Sequence, residues 1–120
     1  MIINAQGSKL AQIQPGDTSD TLAFTAVIQT EITRILVCNT AGSARTFRIF
    51  HADSGDSFSV DNALFYDYAI AAHDTVIIAT DAPNAGIALQ IGELLGVQAS
   101  AADELTFTVY GVTASIAPGG

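Results

Sequence analysis

Turn-forming residues interrupt this chain about every ten positions, and the runs between them are short and rich in β-branched, aromatic and aliphatic residues. Thr21-Leu22-Ala23-Phe24-Thr25-Ala26-Val27 follows the Pro15-Gly16-Asp17 turn. Glu31 to Asn39 comes next, with an unbroken Ile35-Leu36-Val37-Cys38 centre that reads as a strand buried on both faces. Thr40-Ala41-Gly42-Ser43 is a tight connection into Thr46-Phe47-Arg48-Ile49-Phe50, so these two strands are expected to form a hairpin. Because side chains alternate along a strand, Phe47 and Ile49 share one face, and Thr46, Arg48 and Phe50 share the other.

The second half repeats the pattern. Ala63 to Ile70 is an aromatic strand, and Ala72-His73-Asp74 turns it into Thr75-Val76-Ile77-Ile78-Ala79. Asp81-Ala82-Pro83-Asn84-Ala85-Gly86 breaks the next run, and Ile87-Ala88-Leu89-Gln90-Ile91 reads as a short strand or a loop. Leu94 to Ala99 and Leu105 to Tyr110 are expected to make a closing hairpin, with Leu105, Phe107 and Val109 inward and Thr106, Thr108 and Tyr110 outward. Ser8 to Ile13 alternates like an edge strand, yet Gly7 and Pro15-Gly16 leave it equally free to be an extended arm. Some seven to nine short strands at this spacing predict an antiparallel β-sandwich, jelly-roll or immunoglobulin-like. The expected organisation is one domain over 1–120, with an arm at 1–15 and a loose tail at 114–120.

Composition removes several functions. Charged residues make up 13% of the chain, about half the usual quarter, and hydrophobic ones 49%. Apolar content that high, spread along the whole length, argues against intrinsic disorder. Four basic residues against twelve acidic ones give a net charge of −8, which offers no footprint for nucleic acid or an anionic membrane. No run approaches the roughly 18–20 apolar residues of a membrane span, and the first residues lack the pattern of a secretion signal. Cys38 is the single cysteine, so neither an intramolecular disulfide nor a thiolate cluster is expected, and it reads as a small buried hydrophobe.

Catalytic signals are weak. His51 with Asp53 and Asp56 is the best local metal candidate, but the spacing matches no calcium loop and a solvated turn explains it better. His73-Asp74 lies at a turn, where Asp74 is better read as capping nearby amides. There is no Gly-x-Ser-x-Gly elbow and no phosphate-binding glycine loop, and nothing selects a carboxylate pair among Asp61, Asp67 and Glu93. No enzyme, cofactor or metal is therefore expected. Phe65, Tyr66 and Tyr68 offer rings that stack on sugars, although packing within a sandwich or between subunits explains them better.

One pattern is familiar. Ile35-Leu36-Val37-Cys38-Asn39-Thr40 followed by Arg45-Thr46-Phe47-Arg48-Ile49 resembles a recurrent "VCN-x-(ST)…TFRI" motif of small bacteriophage structural proteins. Leu64-Phe65-Tyr66-Asp67-Tyr68-Ala69-Ile70-Ala71-Ala72-His73-Asp74-Thr75 resembles their "YYD-x-PI-x-AND-T" segment, with His73 in place of the asparagine. Leu95-Gly96-Val97-Gln98-Ala99-Ser100 and Thr106-Phe107-Thr108-Val109-Tyr110-Gly111 resemble their closing strands, though Val112-Thr113 replaces the usual acidic residue.

The resemblance implies a β-sandwich virion component, made in the host cytoplasm, with no transferable catalytic residue. It implies a capsid decoration or cement protein that bridges subunits of the major capsid protein, or else a tail, collar or fibre-base component. A homo-oligomer, a trimer favoured, is expected. The candidate contact residues are Lys9, Leu10 and Ile13 on the arm, the exposed aromatics Phe50, Tyr66 and Tyr110, and Asp53 and Asp56 on their loop. A carbohydrate-binding module is the alternative of a different class.

Overall fold

A computed structural model of the chain describes residues 7–79 and 86–114. Among them are nine strands: β1 Gly7–Ile13, β2 Thr21–Thr25, β3 Thr30–Asn39, β4 Arg45–Ala52, β5 Ala63–Ile70, β6 Thr75–Ala79, β7 Ile87–Leu89, β8 Leu94–Ala99 and β9 Leu105–Thr113. A single 3-10 turn, Val60–Asn62, precedes β5 and is closed by Ser59 and Asn62 in a reciprocal cap. Every strand pairing is antiparallel. The first sheet runs β1-β9-β3-β6, with β7 following β6 along the same edge of β3, and the second runs β2-β8-β4-β5.

That order settles the topology. If β6 and β7 count as one interrupted strand, the chain changes sheet at every connection except β4–β5, which is the jelly-roll arrangement rather than the immunoglobulin one. Both expected hairpins are therefore corrected. β3 pairs with β6, β7 and β9 while β4 pairs with β5 and β8, so Thr40 to Ala44 carries the chain across the sandwich. β8 and β9 likewise lie in opposite sheets. Short polar connections look alike in sequence whether they join neighbours in one sheet or opposite faces of a sandwich.

The β3–β4 crossing is held by a buried amide. Asn39 is 1% exposed, and its Nδ2 donates to the carbonyls of Ser43 at 3.0 Å, Ala71 at 3.1 Å and Ile70 at 3.4 Å. Its Oδ1 accepts from the Ala41 N–H at 2.9 Å. Around it, Asn39 N donates to the Asp74 carbonyl, His73 N to Ala41, and Thr40 N and Oγ1 to Glu104. One amide thus ties the β3–β4 crossing to the β5–β6 crossing, and Thr40 ties both to the β8–β9 crossing. His73 adopts a φ of 56° at this junction, so its turn role is also a backbone one.

Alternation fills the core. Ile32, Ile35 and Val37 from β3 meet Phe47 and Ile49 from β4, Leu95 and Val97 from β8, and Leu105, Phe107 and Val109 from β9, all essentially inaccessible. Phe47 lies at the centre, edge-on to Phe107 at 5.9 Å and beside Tyr68 at 5.4 Å. The Ile35–Cys38 run is not buried on both faces: Ile35 and Val37 point inward, whereas Leu36 and Cys38 lie half-buried on the outer face. Its hydrophobicity reflects a central position in the sheet, flanked by β9 and β6.

The edge-strand reading of β1 describes Gly7–Ile13, which pairs with β9 of its own domain. A bulge at Leu10 lets Leu10, Ala11 and Ile13 all pack against the core. Gly111 on β9 makes room for it, since a side chain there would strike Leu10 and the backbone of Glu31 and Ile32. Of the two expected readings, Gly7–Ile13 takes that of an edge strand of its own domain. Positions 1–6, the break at 80–85 and the tail from 115 onward lie outside the described residues.

Asn39→Ala should destabilise the fold by about 1–3 kcal/mol, because an N–H and several carbonyls lose the partner that a buried amide supplies. Asn39→Asp should cost at least as much, since a carboxylate cannot donate to three carbonyls. Denaturant unfolding measures both, and a loss below about 0.5 kcal/mol for either would show that the crossing does not depend on the amide.

Candidate functional site

The candidate contact residues fall on different parts of the surface. Leu10 and Ile13 pack against the core and are only partly exposed. Phe50 is corrected as well. It points outward as alternation requires, but it is only 3% exposed, because Phe58 from the β4–β5 connection stacks on it at 5.6 Å. Gly96, opposite Phe50 on β8, permits this; a side chain there would sit within 2.6 Å of the Phe58 ring. Asp53 and Asp56 are exposed in their loop, joined by an Asp56 N–H to Asp53 carbonyl bond.

Lys9 and Tyr110 come together on the outer face of the first sheet. Lys9 is the cross-strand partner of Tyr110, and Tyr110 is in turn the partner of Arg34, so the three form one row. Beside that row the face is nearly uncharged: Gln12 donates to Thr108 at 3.0 Å and Gln14 to Thr106 at 3.2 Å, with Leu36 and the 63% exposed Ile77 alongside. Among the described residues neither Lys9 nor Arg34 has a side-chain partner, whereas the other two cations are paired. Arg45 meets Glu104 at 2.6 Å and Arg48 meets Asp67 at 2.7 Å.

Arg48 organises the outer face of the second sheet. Phe47 pairs with Tyr68 and Ile49 with Phe65, so a bulge places both Tyr66 and Asp67 opposite Arg48. Asp67 occupies the left-handed region at φ 50°. The guanidinium lies 3.9 Å from the Tyr66 ring centroid and holds Asp67 through two bonds, Nε to Oδ1 at 2.7 Å and an Nη to Oδ2 at 3.2 Å. A third contact reaches Gln98 at 3.4 Å, and Gln98 donates to the Thr18 carbonyl at 2.8 Å. The hydrogen bond from Arg48 holds the Asp67 carboxyl below the usual carboxylate range.

The histidine candidate resolves as a structural pair. His51 Nε2 lies 2.8 Å from Glu93 Oε1, which also accepts the Gln90 N–H at 2.9 Å. Asp56 takes no part, and no group of three or more ligating side chains among the described residues could hold a metal. Sequence reading missed Glu93 as the partner of His51, and missed Arg34, Arg48, Gln98 and Phe58. Alternation placed Arg48 outward; the bulge that gives it two partners left no signal.

No family model and no curated protein matches the chain. Among solved structures it is similar to a chain in the structure of infectious bursal disease virus, Gx strain, at 14% identity and a TM-score of 0.50. The similarity covers 98% of this chain and 34% of that one. At such identity the likeness is one of fold: a β-sandwich of a kind also found in a viral structure. No helix among the described residues is long and apolar enough to cross a membrane.

Glu93 gives a pH test. The Gln90 N–H, and after it the His51 hydrogen bond, hold its carboxyl below its ordinary value of about 4.5. A depressed carboxyl stabilises the fold fully above the unfolded value and loses that contribution as pH falls through the folded one. The stability gap between the native chain and Glu93→Gln should therefore be steady near pH 5–6 and shrink below about pH 4.5. Thermal unfolding across that range measures it, and a gap that persists to about pH 2.5 would contradict the assignment.

Proposed function

We propose that this protein is a structural component of a bacteriophage virion, and specifically a decoration or cement protein that bridges subunits of the major capsid protein. The observation that carries this reading is that the described residues form one jelly roll and that the chain is similar to part of a chain in a virus structure. The motif resemblance in β3, β4 and β5 supports the phage assignment, and a surface poor in long charged side chains supports the role. Such a surface loses little hydration and rotamer entropy when a neighbour covers it.

The outer face of the first sheet is the docking face in this reading. It carries few charges, and on it Lys9 and Arg34 have no side-chain partner among the described residues, in a chain of net charge −8. Lys9 and Arg34 then fix orientation against a carboxylate-bearing capsid surface, while the Gln, Thr and aliphatic rows supply area. Individually weak contacts gain through multivalency, because a homo-oligomer with trimeric symmetry engages several capsid subunits at once.

Purified particles test the proposal. The expected result is a copy number comparable to that of the capsid subunits, with density for the jelly roll on the shell in a cryo-electron map. A few copies at one vertex would move the role to the tail or collar, and absence from particles would overturn it. The double charge reversal Lys9→Glu, Arg34→Glu should weaken binding to stripped particles at least roughly tenfold, most strongly at low salt. Unchanged binding by a folded double variant would rule this face out.

A further inference from the structure

We propose that the outer face of the second sheet, around Arg48, is a binding site for a neutral oligosaccharide, a site that goes beyond the virion role. Two depressions of about 200 Å³ and 340 Å³ flank the Arg48 guanidinium. Together they fall within the range of small-ligand sites, about 300–1,000 Å³. The first is lined by Thr18, Thr46, Asp67, Gln98 and Ser100. The second adds Ser19, Asp20 and Ser59, together with Phe58, Val60 and Tyr66.

The chemistry of the lining selects the ligand. Arg48 is already neutralised by Asp67 and the lining adds the Asp20 carboxylate, so the site holds no free positive charge for an anion. The lining is too polar for a purely apolar molecule, yet its hydrogen-bonding capacity is only partly used. A guanidinium has five N–H donors and Arg48 directs three of them to Asp67 and Gln98. Asp67 retains lone pairs, and Gln98 retains one N–H after bonding to Thr18. Fixed donors and acceptors of this kind suit vicinal hydroxyls, each of which both gives and takes a hydrogen bond.

Tyr66 supplies the complementary surface. It is 48% exposed beside Arg48, and Val60 next to it is also exposed. Arg48 lies over one face of the Tyr66 ring, so the weakly positive C–H face of a pyranose would pack on the ring surface that stays exposed. The array is rigid before any ligand arrives: Asp67 is held at φ 50° by the bulge, Gln98 is tied to Thr18, and Ser100 Oγ accepts the Thr46 N–H at 2.9 Å. Backbone held in the left-handed region by its surroundings is a feature of ligand-clamping sites.

The test is a glycan array of neutral and acidic oligosaccharides probed with the isolated protein, followed by NMR titration with the neutral glycans bound. Saturable binding to a neutral class is expected, with amide and side-chain shifts centred on Thr46, Arg48, Tyr66, Asp67, Gln98 and Ser100. Tyr66→Ala and Gln98→Ala should each weaken binding at least tenfold, Tyr66→Phe should retain it, and Lys9→Glu should leave it unchanged. Spectra of each variant report folding, so a folded Tyr66→Ala that binds normally overturns the site. No neutral glycan bound, binding confined to acidic glycans, or shifts on the first sheet would each overturn it too. None of these outcomes depends on particles, so the virion role stands or falls separately.

Discussion

The hydrogen bonds of Asn39 set the geometry on which the rest of the sandwich depends. A jelly roll sends its chain repeatedly from one sheet to the other, and each crossing strands backbone groups that no ladder satisfies. At one end, a single buried primary amide supplies donors to the 43, 70 and 71 carbonyls and an acceptor to the 41 amide. No aliphatic side chain of that size could replace it, and a carboxylate would have the wrong polarity. The two sheets are joined by the apolar core, but their connectivity at this end is fixed by one polar residue.

With the core closed, the two outer faces diverge. The first sheet presents rows of Gln, Thr and aliphatic side chains, with Lys9, Tyr110 and Arg34 across one end, where bulges interrupt β1 and β3. The second is disturbed twice, by Phe58 folding over Gly96 and by the bulge at Asp67. A face of small polar and aliphatic side chains suits burial against a large, complementary neighbour, whereas a face with depressions and fixed polar groups suits a small ligand. The same fold thus separates the proposed docking and sugar-binding roles on opposite sides of one domain.

The site was legible only where a local rule applied. Alternation placed Phe47, Ile49, Phe107 and Val109 inside and Arg48 and Tyr110 outside, as the structure has them. It failed at Phe50, whose direction was right but whose exposure was not, because Phe58 arrives from a loop eight positions later. It also failed at Leu10 and Ile13, where a bulge lets neighbouring residues share the inner face. The Glu93 partner of His51 lies 42 positions away and carried no mark of the pairing.

By itself the sequence determined the class of fold, the approximate strands and the inward-facing set, since period-two burial and turn chemistry are local properties written residue by residue. Only the tertiary structure decided which strands are neighbours, turning two expected hairpins into crossings between sheets and selecting the jelly roll. It also decided that Arg45 and Arg48 are the cations paired with carboxylates among the described residues, and where an arginine meets both a ring and a carboxylate. Those outcomes follow from register, bulges and long-range pairing, whose energies are shared between segments far apart in the chain.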